Sequence, residues 1–157
     1  GMKQIKYSTN LSSIINQLLE KMKRKFYMEL KVTLEGNKKV STHIGDHLIM
    51  TDQPEKSGGS NTAPAPYDLF LASIATCAGF YVQSYCDNKN IDCSGIEITL
   101  KARRDDKKVI NGFVTTIHVP EEIPEKLHGV LKKVASQCAV KKTIMNNPDF
   151  IVETIKR

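Results

Sequence analysis

The sequence lacks tryptophan and is poor in other aromatic residues, with five tyrosines and five phenylalanines among 157 residues. Proteins that bind single strands of nucleic acid stack bases on aromatic side chains, whereas most aromatic residues here lie inside apolar runs. Basic residues exceed acidic residues by 23 to 17, a surplus that permits contact with nucleic acid or an anionic membrane but is commonly spread over a solvated surface. A nucleic-acid-binding role through the basic runs at 21–25 and 101–108 is therefore the least favoured hypothesis.

Several motifs of enzymes and exported proteins are also absent. No C-x-x-C pair occurs, and the four histidines lack ligand spacing with any pair of cysteines, which argues against zinc. No G-x-S-x-G, G-x-G-x-x-G or Walker-type loop is present, so neither a hydrolase nucleophile elbow nor a nucleotide-binding loop is indicated. Residues 10–26 are amphipathic, unlike the apolar block of a secretory signal. We expect a cytoplasmic protein without bound metal, and all four cysteines present as thiols.

The first 25 residues are interpreted as a tag remnant, Gly1, followed by an added amphipathic helix. Asn10 is suited to capping the start of a helix, and apolar residues recur at steps of three and four as far as Met22. The basic residues 21–25 would end this helix where its dipole is negative. We expect its apolar face to pack on a partner subunit, because an apolar face of this size is unfavourable when exposed to solvent. Residues 26–157 form the main domain.

Short antiparallel strands are expected on both sides of one long helix, with alternating apolar and polar residues at 26–34 and 96–101. Strands are expected at 26–34, 39–44, 47–51, 96–101, 113–119 and 150–155. A second helical pattern begins at Pro124, breaks near Cys138 and ends before Pro148. Residues 52–66 hold three of the six prolines and a Gly-Gly pair, which predicts an ordered loop. Because the strands occur in consecutive blocks, the fold class is α+β rather than a parallel α/β sheet.

The central segment 69–86 carries no formal charge, so length alone would permit a transmembrane helix. Polar and small residues interrupt it, and we predict instead a helix over 68–86 that is buried on all sides. Offsets of three, four and seven place one set of residues on the face of Cys77, as the wall of a pocket for a hydrophobic substrate: Phe70, Ser73, Ile74, Phe80, Tyr81 and Ser84. Cys77 and Cys138 each lie on an apolar stripe and are able to meet in the core. The alternative is that each is simply a small buried hydrophobic residue.

The run APYDLFLASIATCAGFYV, preceded by DQPEKSGG and followed later by SQCAVKKTI, resembles the OsmC/Ohr family of osmotically induced and organic hydroperoxide resistance proteins. The resemblance spans residues 27–155. It implies an OsmC-like α+β fold in which antiparallel β-sheets pack around the long helix of an intertwined homodimer, with a site near the subunit interface. It also implies thiol-dependent reduction of organic hydroperoxides, without a cofactor, in the response to oxidative stress.

The resemblance further assigns chemical roles to the two cysteines. Cys77 would be the peroxidatic thiolate, Cys138 would resolve its sulfenic acid as a disulfide, and an external dithiol would reduce that disulfide. An unperturbed thiol is mostly protonated at neutral pH, so we expect a cation to hold Cys77 ionised.

The sequence departs from the peroxidase branch of that family at the residues that would support the thiolate. That branch uses an Arg from the early strands, held by a Glu at the start of the central helix. Here Tyr67 occupies the position of the Glu, with Asp68 beside it, and Lys38 or Lys39 are the nearest substitutes for the Arg. The Pro that often follows the second cysteine is replaced by Ala139. These departures favour one alternative, an OsmC-fold protein without efficient peroxidase activity that binds a small hydrophobic ligand at the dimer-interface pocket.

Overall fold

The computed structural model describes residues 12–18 and 28–156. Residues 12–18 are helical, in agreement with the predicted N-terminal helix. The proposed cap at Asn10, the basic run at 21–25 and the domain boundary after residue 25 lie outside the described residues. The chain divides into two compact units between Ala63 and Pro64. One unit holds a three-stranded antiparallel sheet and the other holds a two-stranded antiparallel sheet with a long helix, so the predicted α+β class is confirmed.

The sheet of the N-terminal unit is a meander of three strands, β1 Val32–Gly36, β2 Lys39–Ile44 and β3 His47–Thr51. The bounds of β2 and β3 agree with the prediction. Asn37 and Lys38 both have positive φ, as the tight turn of a two-residue hairpin requires. β1 begins later than predicted, at Val32, which pairs with Thr42. β2 ends at Ile44, only two residues beyond Thr42. It therefore offers few residues with which 28–31 could pair.

A buried carboxylate organises the loop that follows β3. Asp52 is fully buried and accepts hydrogen bonds from the backbone N–H groups of Gln53 at 2.7 Å, Ser60 at 3.2 Å and Thr62 at 3.0 Å, and from the Thr62 hydroxyl at 2.8 Å. The backbone N–H of Thr62 makes the largest contribution to holding the pKa of Asp52 well below its usual range; burial opposes this, and the other three donors add to it. The predicted ordered loop is therefore confirmed.

The C-terminal unit is built on helix α1, Pro66–Lys89, which confirms the predicted long helix. Asp68 caps its start by accepting a hydrogen bond from the backbone N–H of Ala65 at 3.0 Å, and Asn90 ends it in the left-handed conformation. Burial is confined to one stripe with a spacing of four residues: Ile74, Ala78, Val82 and Cys86. On another face Phe80 is 64% exposed. The prediction of burial on all sides is therefore wrong for the single chain, which covers only one face of the helix.

By length and composition alone, α1 is able to cross a membrane. The core helix of a globular domain meets the same criterion, and the buried stripe of α1 packs into a hydrophobic cluster with Ile123, Leu131 and Ala135. The structure thus uses the apolar character of this helix to build a core.

The remaining elements of this unit are a hairpin and two short helices. β4 Glu97–Arg104 pairs antiparallel with β5 Ile110–His118. α2 His128–Ala135 and α3 Ala139–Met145 follow, and the break between them immediately before Ala139 confirms the predicted interruption near Cys138.

The predicted strand at 150–155 is wrong within the single chain. Residues 150–156 are irregular, and Phe150 and Val152 are 92% and 94% exposed. A strand requires a ladder partner, and among the described residues none pairs with this segment.

The expectation of four thiols is also wrong, because Cys86 and Cys93 form a disulfide. Cys86 lies in the last turn of α1 and Cys93 in the connection to β4. The helix ends at Lys89, and the chain folds back so that the two Cα atoms are 6.1 Å apart, within the range that a disulfide spans. Cys77 and Cys138 are the free cysteines.

Candidate active site

Cys138 occupies the junction between α2 and α3, where it caps the start of α3. Its sulfur accepts a hydrogen bond from the backbone N–H of Lys141 at 3.3 Å and lies 3.9 Å from the carbonyl oxygen of Ile74 on α1. The residue is 1% exposed. The break between the two helices therefore aims this thiol at the central helix.

Cys77 is a half-buried free thiol one turn along α1 from Ile74. Burial acts to raise its pKa, but polar groups near the sulfur lower the pKa overall: the backbone N–H of Val140, the Cys138 thiol and the backbone N–H of Ala139. The first turn of α3 thus supplies polar groups that favour the thiolate of Cys77.

The pKa of Cys138 moves in the opposite direction. Burial raises it most; the backbone N–H groups of Lys141 and, more weakly, Val140 act to lower it, and the hydrogen bond to Cys77 and the charge of Cys77 raise it further. Cys77 therefore ionises first, while Cys138 remains a protonated thiol beside it. The Cys77 thiolate is thus the nucleophile of the pair, and Cys138 is its protonated neighbour.

The groups that lower the pKa of Cys77 are backbone amides and a thiol, where sequence reasoning sought a cation. Ala139 and Val140 were missed as functional residues. The sequence signal for these donors was Ala139, which stands where related proteins often have proline. Proline has no backbone N–H, whereas alanine keeps this hydrogen-bond donor.

The four predicted thiolate-supporting residues lie in two different places. Lys38 is in the turn between β1 and β2, and Lys39 begins β2, in the N-terminal unit. Tyr67 and Asp68 are in the first turn of α1; the Tyr67 ring packs on Phe70 with centroids 5.5 Å apart, and Asp68 caps the helix. Asp68 and Cys77 are nine residues apart, about 13 Å along a regular helix. Their roles at Cys77 stay predictions.

A cavity of about 690 Å³ adjoins Cys138. It is bounded by α1, β5 and the α2–α3 pair, and its walls are mostly apolar, with Ile74 and Ala78 contributed by α1. His128, Lys132 and Lys141 also line it, and no acidic side chain among the described residues does. Cys138 lies on its wall.

Of the six residues predicted to form the pocket wall, Ile74 lines this cavity, whereas Phe70, Ser73, Phe80, Tyr81 and Ser84 do not. Phe70 stacks edge-on against Phe113 at 6.0 Å, and the Ser73 hydroxyl donates to the carbonyl of Phe70 at 2.7 Å. Phe80 and Tyr81 pack edge-to-face at 5.4 Å. The cavity opens instead on the stripe of α1 that holds Ile74 and Ala78 and faces Cys138. Over the part of the chain that the structure describes, no group of three or more His, Cys, Asp or Glu is arranged to hold a metal.

Comparison with family models matches residues 58–153 to the OsmC family of OsmC-like proteins. This range contains α1, both free cysteines and the cavity. A comparison with curated proteins finds no match.

Solved structures share the fold at low sequence identity. An osmotic-stress-induced and detoxification response protein from Psychrobacter arcticus has a TM-score of 0.61 and 24% identity, covering 75% of this chain and 91% of its own. A hypothetical protein from Aquifex aeolicus has a TM-score of 0.61 and 20% identity, with coverages of 78% and 89%. An organic hydroperoxide resistance protein from Legionella pneumophila has a TM-score of 0.50 and 18% identity, with coverages of 78% and 93%. At these identities the likeness shows a common fold.

Proposed function

The chain belongs to the OsmC-like protein family, and we propose that it is a thiol-dependent peroxidase that reduces organic hydroperoxides through Cys77 and Cys138. The observation that carries the proposal is the pair of neighbouring free thiols whose pKa values are displaced in opposite directions. A thiolate is the reactive form of cysteine, so the thiol that ionises first is the nucleophile. The structurally similar hydroperoxide resistance protein of Legionella pneumophila is consistent with this chemistry.

The reaction begins with attack of the Cys77 thiolate on the terminal oxygen of the hydroperoxide. The O–O bond breaks, the alkoxide takes up a proton and leaves as the alcohol, and Cys77 becomes a sulfenic acid. The Cys138 sulfur then attacks the Cys77 sulfur. Water leaves, and the two electrons lost by the thiols equal those gained by the peroxide.

Turnover requires a second substrate, because the protein would otherwise stop at the Cys77–Cys138 disulfide. An external dithiol attacks one sulfur to form a mixed disulfide, and its second thiol then releases both protein cysteines. A dithiol suits this step because its second sulfur completes the exchange within the same complex. No cofactor enters the cycle.

We also propose that the working protein is a homodimer. The single chain leaves large apolar side chains exposed on α1, on β1 and in the C-terminal segment: Leu34, Phe80, Phe150, Ile151, Val152 and Ile155. Large exposed apolar side chains of this kind are typical of an interface rather than of a monomer surface. The exposed face of α1 is the one that carries Phe80, so a partner would complete the burial that the sequence indicates for this helix.

The cavity beside Cys138 supports a second candidate function. Its volume of about 690 Å³ lies in the range of small-molecule sites, and its walls are mostly apolar. The alternative is therefore a protein of the same fold that binds a small hydrophobic ligand without efficient peroxidase activity.

The two functions are separated by following cumene hydroperoxide consumption in the presence of a dithiol. Substitution Cys77→Ser is expected to abolish turnover, because a hydroxyl at neutral pH is not a comparable nucleophile. In the absence of the dithiol, Cys138→Ser is expected to permit one turnover and to leave a sulfenic acid that dimedone traps. Thr76→Ala, which removes an exposed hydroxyl beside Cys77, serves as the control. Consumption by Cys77→Ser protein at the wild-type rate would exclude a peroxidase that acts through Cys77, and wild-type consumption no faster than that of the dithiol alone would favour the ligand-binding function.

A further inference from the structure

The disulfide between Cys86 and Cys93 has no part in the proposed peroxidase cycle. On α1, Cys86 follows Cys77 by nine residues, which is about 13 Å along the axis and half a turn around it. Its sulfur therefore points away from Cys77 and is too far to resolve a sulfenic acid formed there. The Cys86–Cys93 pair is therefore spatially separate from the pair formed by Cys77 and Cys138.

Access to the two sulfurs of this disulfide is unequal. Cys86 is 0% exposed and belongs to the hydrophobic core with Val82 and Leu131. Cys93 lies instead on the wall of a separate cleft of about 340 Å³. Cys93 also packs against the core but is only half-buried, so of the two cysteines it is the one that a reagent in the cleft would meet.

The cleft has the size and the lining of a site for a small thiol. Its wall on α1 is formed by Ala75, Thr76, Gly79, Val82 and Gln83. Gly79 leaves the cleft open: a Cβ placed there would have Ile98 Cδ1 as its near neighbour, at 3.7 Å. Thr76 and Gln83 supply hydrogen-bonding groups at its edge, and Ile96 and Ile98 form an apolar floor.

We propose that Cys93 is a second thiol–disulfide exchange site, which reacts with small thiols and dithiols independently of Cys77 and Cys138. In reduction, a dithiol attacks the Cys93 sulfur, the S–S bond breaks, and Cys86 leaves as a thiolate that takes a proton. The second thiol of the reagent then attacks its own sulfur in the mixed disulfide and releases Cys93. In oxidation, a small disulfide accepts the two electrons: Cys93 forms a mixed disulfide with it, and Cys86 displaces the second small thiol.

The position of Cys86 makes the exchange directional. A monothiol that opens the bond leaves the Cys86 sulfur buried beside the mixed disulfide, and Cys86 recloses the bond by expelling the monothiol. A dithiol avoids this recapture because its own second thiol reacts first. We therefore expect dithiothreitol, but not an equal concentration of glutathione thiol, to open the pair.

The state of this pair sets the stability of the C-terminal end of α1. The disulfide ties the last turn of the helix to the connection that enters β4, and the two cysteines are separated by seven positions in the sequence. A disulfide that closes even a short loop lowers the conformational entropy of the unfolded chain, which favours the folded state. Reduction is therefore expected to lower the melting temperature by about 5 °C.

The test uses a Cys77→Ser, Cys138→Ser protein, so that its result does not depend on peroxidase activity. To this background Cys86→Ser or Cys93→Ser is added, and each folded protein is incubated with glutathione disulfide and weighed intact by mass spectrometry. The protein that keeps Cys93 should gain one glutathione. The protein that keeps Cys86 should gain none until it is denatured. Equal modification of both folded proteins would overturn the proposal.

A second variant tests access through the cleft without removing either cysteine. Gly79→Leu should fill the cleft and slow reduction of the pair by dithiothreitol about tenfold, because exchange depends on access to the attacked sulfur. Gly129→Leu is the matched control, since Gly129 is also helical and has open space around it. Equal reduction rates in the two variants, or a purified pair that glutathione disulfide does not oxidise, would contradict the proposal.

Discussion

At the scale of single residues, this protein repeatedly uses backbone N–H groups to stabilise negative charge. Asp52 is buried among three backbone donors and one hydroxyl, and its pKa is low without a neighbouring cation. Cys77 receives the N–H groups of Ala139 and Val140, and its pKa is lowered by them together with the Cys138 thiol. In both cases the donors belong to a segment whose backbone is held in place by turns or by a helix, so their direction does not depend on a mobile side chain.

Substitution Ala139→Pro is predicted to raise the pKa of Cys77 by removing one of these donors. Residue 139 is the first residue of α3, where proline is well tolerated, and Cys138 has the extended ψ of 118° that a following proline requires. The midpoint of pH-dependent iodoacetamide alkylation should rise by about one pH unit. Ala139→Gly keeps the N–H and should leave the midpoint in place. An unchanged midpoint in the proline variant would show that this amide does not support the thiolate.

Asp52 is predicted to make stability fall in acid. Its pKa is lowered in the folded state relative to about 3.9 in an unfolded chain, so its contribution is complete at neutral pH and is lost as the pH falls below about 4. Asp52→Asn replaces one acceptor oxygen by an NH₂ group facing N–H donors, and should destabilise the protein at pH 7 and flatten the acid dependence. Urea unfolding at pH 7 and pH 3 measures both effects. An equally steep acid dependence in the variant would assign it to other carboxylates.

At the scale of elements, the positions of the turns decide where the chemistry lies. The break before α3 brings Cys138 and two free amides to α1, and the end of α1 at Asn90 turns Cys93 back towards Cys86. Helical periodicity placed Cys77 and Cys138 on apolar stripes. It could not show which other element of the chain would pack on each stripe of α1. The loop after β3 has no repeating sequence pattern, and its conformation is fixed by backbone hydrogen bonds to Asp52.

Gly59→Ala is predicted to disrupt that loop. A Cβ at Gly59 would overlap the carbonyl oxygen of Gln53 and would lie 2.8 Å from an oxygen of Asp52. Neither the backbone nor the hydrogen-bonded carboxylate is free to move away, so the loop must shift, and a loss of about 2 kcal/mol or more is expected. Gly129→Ala, in open helical space, should be neutral or slightly stabilising. Thermal unfolding of the two variants provides the comparison; equal melting temperatures would show that the loop is more adaptable than its contacts indicate.

At the scale of the whole molecule, the single chain does not cover its own apolar surface. Residues 150–155 are rich in the β-branched and aromatic residues that are typical of strands, yet Phe150, Val152 and Ile155 are more than 80% exposed. A segment of this kind that pairs with no strand among the described residues is suited to pairing with another chain. The proposed homodimer accounts for both the exposed segment and the exposed face of α1.

Substitution Val152→Asp is predicted to weaken this dimer. A carboxylate placed in an apolar interface loses hydration without gaining a partner, and the dissociation constant should rise more than tenfold. Lys107→Glu changes an exposed residue of the β4–β5 turn and is the control. Light scattering after size-exclusion chromatography over a dilution series measures the change. A wild-type protein that is monomeric throughout the series would refute the dimer proposal.

Local sequence was sufficient for much of this protein. Turn residues and alternation placed β2 and β3 at their observed bounds, and the uncharged run together with helix-ending signals placed α1 and the break at Cys138. These features depend on residues within a few positions of each other, where dihedral preferences and side-chain periods act directly. The family motif likewise depends on short runs around the two cysteines.

Only the tertiary structure decided which groups meet. It paired Cys86 with Cys93 and brought the amides of Ala139 and Val140 to Cys77, where a cation was expected. It also left residues 150–155 without a strand partner among the described residues, and it opened the cavity beside Ile74 rather than beside Phe80. Each outcome depends on contacts between segments remote along the chain, or on the lack of such contacts. Periodicity specifies which residues share a face, but the element that covers that face is selected by packing of the entire chain.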